Sequence, residues 1–134
     1  MAKPKRVTYF KARVENRPGA LLALLNDLKA KNLGLVSLKG FGQADQGEVL
    51  VIPKNAEKLR AAWQAAGMLT EEGTAFLVTG TDKTGALVGT LDTIARAGIN
   101  LVAIEAMAAA GNYGSLLWVD PMDLDRAAQA LGAK

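Results

Sequence analysis

Leu21, Leu24, Leu25 and Leu28 follow one another at i, i+3, i+4 and i+7, the spacing that lines one face of an α-helix. Before them, residues 7–14 are rich in β-branched and aromatic side chains and lead to Gly19, so they read as a strand running into a turn. Pro18 suits the first turn of a helix, where its missing N–H costs nothing, and Asn32 with Gly34 are stop signals. Residues 35–41 and 48–52 read as two further strands joined by a Gly-containing hairpin over 42–47. Pro53 ends the last of these, and Ala56, Leu59, Ala62 and Trp63 then share one face of a second helix.

The pattern then repeats. Asn16-Arg17-Pro18-Gly19-Ala20-Leu21 reappears 66 positions later as Asp82-Lys83-Thr84-Gly85-Ala86-Leu87. The same offset pairs Phe10 with Phe76, Leu25 with Leu91, Leu35-Val36 with Leu101-Val102 and Arg60-Ala61-Ala62 with Arg126-Ala127-Ala128. Coincidences that dense at a single spacing mark an internal duplication. The order is β-α-β-β-α twice, with 68–70 as the stub of a final strand in the first copy and nothing left for one after 131 in the second. The predicted class is α+β: two ferredoxin-like βαββα(β) repeats, 1–70 and 71–134, each an antiparallel sheet with helices on one face. The unfinished edge predicts side-by-side pairing of strands and a homodimer, because an uncovered edge invites another strand and about 60 residues bury too little surface to stand comfortably alone.

Composition narrows the function. Of 134 residues half are hydrophobic and 22% charged, enough apolar surface for one domain or two small ones and too little charge for disorder. Cysteine and histidine are both absent, which removes disulfides, thiolate and imidazole chemistry and most transition-metal sites; no metal and no cofactor is expected. Ser37 and Ser115 have no histidine to activate them, and 80–85 lacks the Gly-Lys-Ser/Thr ending of a phosphate-binding loop, so an enzyme is not expected. Glu71-Glu72 and Asp120, Asp123 and Asp125 read as turn and helix-start charges. Strand three of each copy is aliphatic, without the aromatics an RNA-binding sheet stacks on bases, so no nucleic-acid partner is expected. No apolar run approaches the ~18 residues of a membrane span, and 1–17 lacks the apolar core of a secretory signal, which together predict a cytoplasmic protein with no membrane partner. The net charge of +3 divides into +7 for residues 1–66 and −4 for 67–134, a distribution consistent with faces that meet each other or a second copy, and equally with two solvated surfaces.

Glu15-Asn16-Arg17-Pro18-Gly19-Ala20-Leu21 ahead of a helix and Gly98-Ile99-Asn100-Leu101 after one, in a frame present twice, resemble a stand-alone tandem ACT-domain protein from Val7 to Leu131. The resemblance implies a regulatory module that binds an amino acid or similar metabolite at an inter-repeat interface and is usually attached to a biosynthetic enzyme; it also points to Asn100, whose place in the first copy is taken by Gly34. The residues themselves suit a carboxylate. A helix start offers unpaired N–H groups and about half a positive charge, and Gly19 and Gly85, without Cβ, let a ligand approach the backbone. Asn16 can donate and accept; Asp82 is an acceptor suited to an ammonium. The candidate ligand-binding set is Asn16, Arg17, Gly19, Ala20 and Leu21 in the first copy and Asp82, Lys83, Gly85, Ala86, Leu87, Asn100 and Leu101 in the second. Asn16 and Asp82 have a second reading as helix N-caps, and the repeat a second reading as a ligand-free interaction module regulating a partner enzyme.

Overall fold

The computed structural model describes residues 3–134, which fall into two compact units: 8–73, and 3–7 together with 74–134. The elements in chain order are β1 (Lys3–Glu15), α1 (Ala20–Ala30), β2 (Leu35–Gln43), β3 (Gln46–Pro53), α2 (Ala56–Ala65), β4 (Leu69–Thr81), α3 (Val88–Arg96), β5 (Leu101–Ala109), β6 (Asn112–Val119), a 3-10 turn (Pro121–Asp123) and α4 (Leu124–Leu131).

In the 8–73 unit the strands lie in the order β2-β3-β1-β4, using 8–15 of β1 and 69–73 of β4. Phe10 stands opposite Val51 and Ala12 opposite Val49, antiparallel, so these four side chains share one face. Leu24 and Leu28 of α1 and Leu59 and Trp63 of α2 pack on that face. The leucine spacing therefore does what its period dictates. Asn55, ahead of α2, accepts the N–H of Lys58 at 3.1 Å and starts the helix as an N-cap. Arg60 grips Glu72 with two parallel hydrogen bonds, Nε to Oε1 at 2.9 Å and Nη2 to Oε2 at 2.6 Å; this pairing holds the Glu72 carboxyl below its usual range and raises the guanidinium.

The second unit repeats the arrangement with β1-β4-β6-β5, using 3–7 of β1 and 74–81 of β4. Phe76 and Val78 of β4 and Leu117 and Val119 of β6 meet Ile94 of α3 and Ala127 and Ala128 of α4. Both units are ferredoxin-like, α+β, with antiparallel strand pairs and helices on one face.

Two expectations change. The second copy is not short of a strand: residues 3–7 at the start of the chain supply it beside β4, and the Arg6 N–H donates to the Lys134 carbonyl at 3.0 Å. The compact units divide the chain at 7/8 and 73/74. The physical reason is that β1 and β4 are each thirteen residues long, and each gives one end to one unit and the other end to the second. The inference of an unfinished edge lapses with the missing strand. Pro18 also stands outside α1, which begins at Ala20 after Gly19 turns the chain with φ +87°.

Candidate functional site

The two helix mouths differ, and the difference begins at Asn16. Its backbone N–H donates to Asp45 O at 3.1 Å, and its side-chain Nδ2 donates to Ala44 O at 2.7 Å. The amide thus ties the β1–α1 turn to the β2–β3 hairpin and is not a helix cap; α1 has no side-chain cap. Gly42 makes this possible, since a Cβ there would stand 2.5 Å from Asn16 Oδ1. Arg17, next along, pairs with Glu15 and reaches Pro18 O at 3.4 Å. Gly19 supplies the left-handed turn, Ala20 opens α1 half-buried, and Leu21 remains exposed. The Asn16 side chain lies against Gly42 and Ala44 of the β2–β3 hairpin. Gly42→Ala is expected to expel that side chain and forfeit its bond to Ala44, a loss of about 1 kcal/mol in chemical denaturation. Asn16→Ala should lose a similar amount, and the double variant should cost less than the two together; full additivity would show that the residues do not meet.

At the second mouth the framing contact is kept: the Asp82 N–H donates to Gly111 O at 2.9 Å, the same bond displaced by 66 positions. Among the described residues no side-chain bond from Asp82 to the hairpin accompanies it, and Ala108 stands where the first copy has Gly42, the position at which a Cβ would meet Asn16. A groove of about 320 Å³ opens beside the start of α3, at the low end of the ~300–1,000 Å³ typical of small-ligand sites. It brings together Asp82, Lys83, Gly85, Ala86 and Leu87 with Val88, Leu91, Ala106, Met107, Ala108 and Tyr113.

Five of the seven second-copy candidates therefore share one groove. The helix begins two positions later than the repeat implies, at Val88, because 84–87 form a turn in which Ala86 and Val88 donate to Lys83 O and Gly85 O, both at 3.0 Å. Gly85 makes that turn with φ +80°. The groove has an acidic and a basic side chain at its rim, the helix start beside them and an apolar interior. Asn100 and Leu101 lie outside it: they follow the C-terminal end of α3, about 13 Å along a helix of nine residues, with Asn100 exposed and Leu101 packed on the core.

Residues that the sequence pattern passed over complete the groove. Tyr113, Ala106 and Ala108 sit on the β5–β6 hairpin, and their only sequence signal is the offset itself: Gly40, Gly42 and Gly47 of the first copy become Ala106, Ala108 and Tyr113 in the second. Elsewhere, the Tyr9 hydroxyl donates to Glu71 Oε2 at 2.7 Å, and burial, with the Glu71 carboxylate beside it, pushes the phenol up to about 12. It stays protonated at ordinary pH and serves as a donor. Among the described residues no cluster of three or more acidic side chains could hold a metal, and no helix is long and apolar enough to cross a membrane.

No protein-family model matches the sequence, and no curated protein does. Solved structures do resemble the fold. Protein BT0572 from Bacteroides thetaiotaomicron superposes with a TM-score of 0.82 at 18% identity, over 96% of this chain and 88% of that one. The ligand-free regulatory subunit of aspartate kinase from Thermus thermophilus gives 0.62 at 11% identity, over 98% and 94%. A structure of aspartokinase alpha and beta subunits gives 0.56 at 16%, over 97% and 93%. The chain has the ACT-like fold of these regulatory domains.

Proposed function

We propose that this chain is a non-catalytic, cytoplasmic regulatory module that senses a small carboxylate-bearing metabolite, an amino acid or a close relative, and passes the signal to a biosynthetic enzyme. The observation that carries the reading is the open groove at 82–87, where a helix start, a carboxylate, an ammonium and an apolar wall converge. A zwitterion finds a partner there for each end: Asp82 for the ammonium, and for the carboxylate Lys83 with the N–H groups of α3 that follow Val88, whose own N–H is taken by Gly85 O. The likeness of fold to the aspartate kinase regulatory subunit adds support, and each compact unit is read as one ACT-like repeat.

A homodimer belongs to the same proposal, now on different grounds. The end strands β2 and β5 expose Val36 and Phe41, and Val102, Ile104 and Met107, the apolar side chains that an added strand would cover. Exposure of this kind also favours the second reading, an interaction module without a ligand.

Thermal unfolding across the twenty amino acids separates the two. A ligand at 100 times its dissociation constant stabilises the folded chain by about 2.7 kcal/mol, a rise of several degrees. No rise for any amino acid, with a rise on adding a partner enzyme, would leave the interaction module as the answer.

A further inference from the structure

We propose that the groove of the 74–134 unit selects a ligand whose side chain ends in an uncharged hydrogen-bonding group, and that Tyr113 is the residue that reads it. The proposal rests on the reading of this groove as a metabolite site and adds what the site distinguishes.

Tyr113 stands opposite Gly80 on β4 and Ala108 on β5. By strand alternation it shares a face with Ser115, Leu117 and Val119, the face on which α3 and α4 pack. The residue as a whole is 9% exposed, its hydroxyl is not a sealed atom, and among the described residues no side-chain or backbone group of the chain bonds that hydroxyl. Ser115, two positions further in, is satisfied by Val78 O at 3.4 Å. The ring is packed away while the hydroxyl is not among the sealed, unpartnered polar atoms of the described residues, so it opens into the groove and is placed to bond a polar group that enters there.

The rest of the interior is apolar: Leu87, Leu91, Ala106 and Ala108. With its charged ends at Asp82, Lys83 and the start of α3, a bound amino acid extends its side chain along this wall toward Tyr113. A hydroxyl or amide tip completes the phenol's hydrogen bond. A methyl tip seals the hydroxyl away from water with nothing to replace it, and a charged tip meets no countercharge among these side chains. Charge is handled at the rim; polarity is read at the far end.

The first copy has no counterpart. Gly47 occupies the position of Tyr113, and Asn16 fills the space over Gly42. One ligand of this class is therefore expected per chain.

The test is calorimetric titration of the full chain with isosteric amino-acid pairs: threonine against valine, asparagine against leucine, glutamine against methionine. The polar member of at least one pair should bind about tenfold or more tightly, at one per chain. Tyr113→Phe should cut that preference to within about twofold, chiefly by weakening the polar member, while the unliganded melting temperature stays close to the parent's. Ala108→Leu fills the groove from the position across the strand pair and should abolish binding of every ligand even if Tyr113→Phe proves poorly folded. Equal affinity within every pair, or a preference that survives Tyr113→Phe, overturns the role of Tyr113 and leaves the metabolite site standing. Binding that survives Ala108→Leu places the ligand elsewhere and also overturns it. Absence of binding by any amino acid removes the metabolite reading and this inference together.

Discussion

Deletion of residues 1–7 should unfold the 74–134 unit. Residues 3–7 are its outer strand beside β4, as 69–73 are in the other unit, and they lie farthest in sequence from the elements they complete. Without them β4 loses a row of backbone partners at about 0.5–1.5 kcal/mol each and becomes an exposed edge. A unit of this size has a total stability of only about 3–9 kcal/mol, so several lost bonds consume most of it. The Arg6–Asp125 pair contributes little to this, because Asp125 is almost fully exposed and the contact is 3.3 Å. Arg6→Ala alone should therefore be nearly silent while the deletion is not. Hydrogen exchange checks this: the amides of β5 and β6 should lose protection in the truncated chain. Attaching the seven residues after Lys134 should restore it, provided the Gly-Ser linker is long enough to reach back along the strand from Arg6, whose N–H bonds the Lys134 carbonyl, to Lys3 about 10 Å away. A truncated chain that melts within a degree or two of the parent would show that the strand is dispensable.

That strand also marks the limit of what could be read along the chain. The duplication at a 66-residue offset and the i, i+3, i+4 leucines lead directly to α1, to the core around Phe10 and Phe76, and to the ferredoxin-like order of each unit. Periodicity reports which face of an element is buried; it does not report which distant segment lies beside it. Lys3, Lys5 and Arg6 precede the β-rich run that begins at Val7, so the pattern starts the strand four residues late. Their polarity fits exposed positions on an outer strand.

The site divides in the same way. Asp82, Lys83, Gly85, Ala86 and Leu87 are legible because a turn before a helix has a local chemical signature, and the structure gathers them into one groove. Tyr113 and Ala108 carry no such signature, because they reach the groove through the pairing of β5 with β6. Asn16 shows the converse. It bears the same signature as Asp82, yet a single missing methyl at Gly42 lets it fold back on its own hairpin. Two turns alike in sequence thus differ in what their first side chain touches, and the room for that contact comes from one residue on a strand more than twenty positions away.

The largest single-residue effect is expected at Trp63. It is 1% exposed and packed among Phe10, Leu28, Val51 and Leu59 at the centre of the 8–73 unit. Truncating a buried aromatic to alanine removes its transfer free energy and leaves a cavity, so Trp63→Ala should cost about 3–5 kcal/mol, comparable with the whole stability of the unit. Its position in the second copy is taken by exposed Gln129, and Ala127 and Ala128 of α4 make the packing contacts there, so nothing equivalent is at risk in the other core. The indole nitrogen adds a second, sharper expectation. Nε1 of Trp63 is buried with no hydrogen-bond partner, an arrangement that costs about 1–3 kcal/mol. Trp63→Phe removes the stranded donor along with part of the ring, so the two effects offset and the variant should lie within about 1.5 kcal/mol of the parent in urea denaturation. Far-UV circular dichroism follows both variants, and Trp118 remains as the fluorescent reporter. A phenylalanine variant as damaged as the alanine one would mean that the indole nitrogen is satisfied and that the full bicyclic shape holds the core together.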